Sequence, residues 1–383
     1  MAKQRILYFD NIKIFLAILV ILIHLGNIYG GVGGWYYTEA GRPDSFNSAF
    51  FILFFILNKS YGLGLFYMMS GLFTSISLQR KKTGRFLKDR LLRLGVPLLF
   101  FTLVLAPLTK SLKSYFVYHK SIDFLAVFKN NIVYFNGDVI GPLWFLELLL
   151  IFTLLLIGWH TLFPNTSPIS SNGRRYKDFP KTKKIIVFIA SLILVTFIVR
   201  IWFPFGQVYK PLALELADTP QYIAFFIIGL YLPRTDWLTS IDKRTANKWL
   251  IFIATLFALA ILIYLAASHF LRFDIKQFIG GFNLFSALFT GWEMTYSVGM
   301  NIFILYFFRT YLNKQGRLSS FMSKNVYAAF VFHPLVITLL ALLLKDIHLY
   351  PMVKYLLVAP IAVFASFGFG HLVRIIPGMN KIL

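Results

Sequence analysis

The sequence predicts an all-α fold, a polytopic transmembrane helical bundle, and three observations predict it. Hydrophobic residues make up 58% of the 383 residues and aromatic residues 18%, with a mean hydropathy of +0.71, far above what a soluble chain carries. The apolar residues fall in runs of about 20, the length that crosses about 30 Å of hydrocarbon at about 1.5 Å per residue. The charge is lopsided: 38 Lys and Arg stand against 15 Asp and Glu, a net +23. Most of the basic residues sit in short connections between apolar runs, as the positive-inside rule requires. In a soluble chain that charge would point to nucleic acid. Here it reads as topology: the expected partner is the lipid bilayer, with no nucleic acid, and the expected location is the cell membrane.

About ten crossings are expected on this rule, in a single domain over residues 1–383. The first, roughly 10–30, is too long for a signal-peptide core and lacks a small-x-small cleavage site, so it is expected to stay as a span. The second, roughly 46–78, is too long for one straight helix. Its central Asn58-Lys59-Ser60-Tyr61-Gly62 predicts an interruption beside a cavity, because irregular backbone at membrane depth is tolerated only there. The others fall at roughly 94–110, 141–162, 184–204, 220–233, 249–270, 278–310, 325–344 and 351–374. With the amino terminus taken as cytoplasmic, the basic segments Arg80–Arg93, Arg174–Lys184, Arg234–Lys248 and Arg309–Lys324 all fall inside, which makes both termini cytoplasmic. Outside, the long connection from about Lys110 to Ile140, together with Gly31–Ser45, is expected to form a lid.

Several chemistries are excluded. The chain has no cysteine, hence no disulfide, thiolate metal site or Cys nucleophile. It carries no dinucleotide or P-loop pattern, no histidines at metal-ligand spacing and no fixed-period repeat, so no metal is expected.

The candidate chemistry lies in a few charged positions. Asp10 and Lys13 open the first helix, and His24 lies about 20 Å along its axis from Asp10, in the outer half of the bilayer. An ionisable group there faces a cavity or a partner. Two readings stand, a structural histidine bonded to a neighbouring helix or a general base. Glu147, in GPLWFLELLL, enters from the outside to a similar depth. It is the candidate orienting partner for His24, in the role a carboxylate has in a catalytic triad. The alternative is a carboxyl that pairs with a basic residue or stays protonated. Arg85, Arg90 and Arg93 lead into the third span, and Arg90 and Arg93, three apart, are expected to share one helix face. Two guanidinium forks there would clamp phosphates; ordinary headgroup contact is the other reading. Ser70-Gly71 suggests a close helix crossing. His333-Pro334 kinks a late span and places a second histidine in its cytoplasmic half, lining a tunnel or serving structure alone. Glu293, Asn283, Asn301 and Arg200 are further polar groups to which spacing gives no role.

Read in order, these pieces resemble the acyltransferase-3 family of bacterial membrane O-acyltransferases. Asp10-Asn11-Ile12-Lys13, with His24 at the matching distance, is similar to the family's Asp-Gly-Leu-Arg opening. Phe66 to Phe73 is similar to its Phe-Phe-x-x-Ser-Gly-Phe segment, and Arg90-Leu91-Leu92-Arg93 followed by Gly-Val-Pro to its Arg-x-x-Arg-leucine-proline signature. Leu143 to Leu146 and Tyr327 to Pro334 match the remaining landmarks. Lys13 departs from the usual Arg, keeping the charge and losing the planar fork.

The resemblance implies acyl-coenzyme A as donor, acetyl-coenzyme A first among the candidates. Its phosphates would lie near Arg90 and Arg93 with Arg85, and its pantetheine arm would run past the Asp10–Lys13 pair and His333 toward His24. The implied acceptor is a hydroxyl of an extracytoplasmic carbohydrate. Direct transfer needs no cysteine; an acyl-histidine intermediate is the other route. The competing classes are a secondary transporter with a midplane site, against which no inverted repeat is visible, and a sensor or scaffold whose basic loops bind anionic lipid.

Overall fold

A computed structural model describes residues 6–39, 44–121, 124–134, 140–164, 178–209, 212–270 and 276–383. Parts of three expected connections, Gly31–Ser45, Lys110–Ile140 and Arg174–Lys184, lie outside the described residues. The main elements are α1 (Leu7–Gly30), α2 (Ser45–Leu78), α3 (Thr83–Tyr118), α4 (Phe124–Tyr134), α5 (Trp144–Leu162), α6 (Thr182–Trp202), α7 (Thr219–Tyr231), α8 (Lys243–Phe270), α9 (Leu284–Tyr311), α10 (Arg317–Leu343) and α11 (Pro351–Arg374). No strand forms among the described residues; Tyr209 and Leu214 make one isolated bridge. The chain is an all-α helical bundle.

Among the described residues, eight helices are long and apolar enough to cross a membrane: α1, α2, α3, α5 with its leading turn, α6, α8, α10 and α11. The expected sixth crossing is the 13-residue α7, laid against α2. The expected eighth, α9, is less apolar because it carries Glu293, Ser297 and Asn301 four apart, all buried inside the protein.

The second crossing corrects the expectation of a break. α2 runs through Asn58–Gly62 as continuous helix. Its polar side chains are satisfied without unwinding it: Asn58 donates to Phe54 O, the Ser60 hydroxyl donates to Ile56 O, and Lys59 pairs with Glu215 and, at 3.2 Å, with Asp218. The small-residue crossing at Gly71 is present. A Cβ there would lie 2.2 Å from Phe226 O, and one on Gly229 of α7 would lie 2.0 Å from Met68 O, so the two backbones touch.

The third crossing is longer than expected, and two π turns, Leu91–Gly95 and Phe101–Leu105, interrupt α3. Each is followed within two residues by a proline, Pro97 and Pro107. Proline supplies no amide hydrogen and crowds the carbonyl four residues back, and the wider turn relieves that clash.

α1 packs on α2, α10 and α11. Asn11 donates to Leu312 O and Lys314 O, so α1 and α10 start side by side and run parallel. Arg374 at the end of α11 reaches Asn325 near the start of α10. The start of α1 and the end of α11 therefore sit at one end of the bundle, the termini end. At the opposite end Glu39 pairs with the buried Lys354 and Asp44 accepts from Tyr350, tying the connection after α1 to α11.

Candidate functional site

Two polar assemblies stand out, and the sequence motifs converge on the first. His24 is half-buried on α1, and its Nδ1 lies 2.9 Å from Nε2 of His333 on α10. The ring planes differ by 9° and the centroids are 5.1 Å apart. That separation is the nitrogen–nitrogen distance plus one ring radius at each end, so the rings meet edge to edge in a common plane. His333 is fully buried, and its Nδ1 lies 2.6 Å from Phe330 O. Trp35 covers a face of His24 at 4.4 Å and donates its indole N–H to the Thr338 hydroxyl at 3.0 Å. Trp35, in the connection after α1, thus lies over the histidine.

The expected partner of His24 is corrected. Glu147 accepts from the Ala213 amide at 3.3 Å, while the bond from His24 goes to His333. Depth along the helices is similar for the two pairs, but depth does not set direction: α1 packs against α10, whereas α5 packs against α2 and the first π turn of α3. His333 is corrected with it. It lies 16 residues into the 27-residue α10, level with His24 and beyond the helix midpoint from the termini.

At the termini end the remaining motif residues are neighbours. Lys13 pairs with Asp10 at 2.7 Å and sits over the Phe73 ring at 4.8 Å. The next residue of α2, Thr74, accepts from Arg90 at 2.7 Å, and Arg90 also lies over Phe86. The α2 motif is therefore the bridge between the first motif and the arginines. Arg90 is half-buried, whereas Arg93 and Arg85 are exposed. The π turn from Leu91 follows Arg90 directly and contains Arg93. None of the three arginines pairs with a carboxylate among the described residues, and the nearby Asp89 is taken by Lys81. Tyr327 of α10 donates to Arg93 O.

The second assembly escaped sequence reasoning. Arg200, fully buried at the end of α6, bonds Asp218 and Glu293 at 2.5 Å each and the Thr290 hydroxyl at 3.2 Å. Lys59 joins it through Asp218 and adds Glu215, which also accepts from the Gly206 amide at 2.8 Å. Lys59 and Arg200 stand against three carboxylates and tie α2, α6, α9 and the lead-in to α7 together. The available signal was charge of both signs inside separate apolar runs.

The family model described as an acyltransferase domain, acyltransferase-3, matches residues 6–371. No curated protein and no solved structure matches. The match spans every landmark assembled above, from Asp10 and Lys13 to His333, and the chain belongs to the acyltransferase-3 family.

Proposed function

We propose that this membrane acyltransferase moves an acetyl group from acetyl-coenzyme A to a hydroxyl of an extracytoplasmic carbohydrate, with His24 as general base. The observation that carries this reading is the state of the His24 ring. One nitrogen is bonded to His333, a stacked indole fixes its plane, and the other nitrogen has no protein partner among the described residues. An oriented imidazole with one free nitrogen is what proton removal from a hydroxyl requires. The termini end, read as cytoplasmic from the basic connections, supplies the complement: Arg85, Arg90 and Arg93 pair with no carboxylate among the described residues and suit the phosphates of coenzyme A.

In the proposed reaction the acceptor hydroxyl gives its proton to His24 Nε2 as its oxygen attacks the thioester carbonyl. The carbon–sulfur bond then breaks and the thiolate takes that proton. The Asp10–Lys13 pair and Thr74 brace the mouth between the two motifs. Glu147, held by the Ala213 amide, has no part in the proposal.

The test is calorimetric titration of the detergent-purified protein with acetyl-coenzyme A, alongside transfer to a carbohydrate acceptor. Saturable binding that is lost in the Arg90→Ala, Arg93→Ala double variant is expected, and His24→Ala should bind the donor and not transfer. A folded wild-type protein that binds no acetyl-coenzyme A would refute the donor. Full transfer by His24→Ala would refute the base.

A further inference from the structure

We infer that His333 is a positioning residue that sets the proton on Nδ1 of His24 and so leaves the Nε2 lone pair facing the reaction. The inference deepens the reading of His24 as base and rests on it for its catalytic meaning.

The argument starts from a proline. Pro334 lies inside α10 and has no amide hydrogen. The carbonyl that this amide would have bonded, four residues back, is Phe330 O. His333 Nδ1 lies 2.6 Å from that oxygen. A carbonyl oxygen only accepts, and a lone pair facing it at that distance would be repelled, so Nδ1 of His333 carries a hydrogen.

The second step concerns charge. His333 is fully buried, and no carboxylate pairs with it among the described residues. A second ring proton would make it a buried, uncompensated cation, which is strongly disfavoured. The ring therefore holds one proton, on Nδ1, and Nε2 is an acceptor. The 2.9 Å contact from Nε2 to His24 Nδ1 then has a single solution: His24 Nδ1–H donates, and Nε2 of His24 is left with its lone pair. Coplanarity of the rings to within 9° puts that hydrogen in line with the acceptor. Trp35, stacked on His24 and bonded to Thr338, opposes a ring flip that would exchange the two nitrogens.

The chain Phe330 O, His333, His24 orients and does not conduct. When His24 takes the acceptor's proton on Nε2, its Nδ1–H can only strengthen its bond to His333. Transfer of the Nδ1 proton onto His333 would make that fully buried ring an uncompensated cation, and Phe330 O beyond it accepts no proton to relieve the charge, so the proton stays on His24 for the departing thiolate. The carbonyl replaces the carboxylate of a triad: it fixes the tautomer without adding a charge.

The tautomer is read directly by nitrogen-15 NMR of histidine-labelled, detergent-solubilised protein, with the His24 signals assigned by their loss in His24→Ala. The Nδ1–H form of His24 is expected in the wild type, although free imidazole side chains favour Nε2–H. His333→Gln keeps an acceptor oxygen near the Nε2 position and should retain the tautomer and most of kcat. His333→Leu should move His24 to Nε2–H and lower kcat by about tenfold to 10⁴-fold, with acetyl-coenzyme A binding unchanged. Nε2–H on His24 in the wild type overturns the proposal whether or not the leucine variant folds, and so does a leucine variant with unchanged kcat. Full activity in His24→Ala would sink the base assignment alone and leave the tautomer result standing.

Discussion

Arg200→Met is the substitution that puts the largest structural load on one residue. The guanidinium is fully buried and makes two bonds of 2.5 Å to carboxylates and one of 3.2 Å to a hydroxyl. After its removal Lys59 still offsets Asp218 at 3.2 Å and Glu215, so those acids are not stranded. Glu293 is: its next partner is the Ser60 hydroxyl at 3.5 Å. Breaking a buried pair by deleting one partner costs about 3–5 kcal/mol, and two charge-assisted bonds at about 1.5–3 kcal/mol each give about 3–6 kcal/mol, which overlaps it. A loss of about 3–5 kcal/mol is therefore expected, read by equilibrium unfolding in mixed micelles. Glu293→Gln in the Arg200→Met background removes the stranded charge and should recover part of the loss, with a coupling of about 1 kcal/mol or more. A loss under about 1 kcal/mol, the range of an exposed pair, would mean that solvent reaches the cluster, and the reasoning would fail.

Three further outcomes follow from single contacts. Gly229→Ala places a methyl 2.0 Å from Met68 O and should cost about 1–3 kcal/mol, whereas Gly158→Ala, with nothing within 4 Å, should be neutral or stabilising in the same unfolding assay. Lys354→Met leaves Glu39 without its cation and Leu344 O with the Ile347 amide alone, so amide exchange over residues 31–39 should accelerate while the rest of the bundle is unchanged. The Asn47 amide and the Tyr350 hydroxyl hold the Asp44 carboxyl below the usual carboxylate range. A depressed value means that the contact is present at neutral pH and lost as pH falls through it, so exchange at the Asn47 amide should rise only in acid.

The fold class was legible because burial in a bilayer is written in composition and run length, which need no knowledge of neighbours. The pairings were not legible, for two physical reasons. Axial depth follows from counting residues, and it placed His24 and Glu147 level; the azimuth that turns α1 toward α10 depends on the packing of every helix between. The break expected at Asn58–Gly62 failed for the converse reason. Lys59 is costly in a span only while its counter-charges are unknown, and Glu215 and Asp218 lie more than 150 residues away in the chain. The Asp10–Lys13 pair was legible because it is local, three residues apart on one helix.

The prolines of the motifs join the two ends of the proposed reaction path. Pro97 removes the amide that would bond Arg93 O, and Tyr327 of α10 donates to that oxygen. Pro334 removes the amide that would bond Phe330 O, and His333 of α10 takes that oxygen. In both places a missing helix bond becomes a fixed acceptor for a side chain of α10, one beside the arginines and one beside His24. The two contacts should therefore separate in kinetics. Tyr327→Phe leaves Arg93 O to water, since Arg93 is exposed, with a stability loss of about 0.5–1.5 kcal/mol. The π turn that carries Arg90 and Arg93 loosens, so KM for acetyl-coenzyme A should rise several-fold while kcat holds, the mark of binding shared by ground and transition states. His333→Leu should do the reverse. Steady-state kinetics on the two variants decide the matter: a Tyr327→Phe protein with lowered kcat and unchanged KM would mean that α10 couples the ends as one unit, and the division of labour between its two contacts would be wrong.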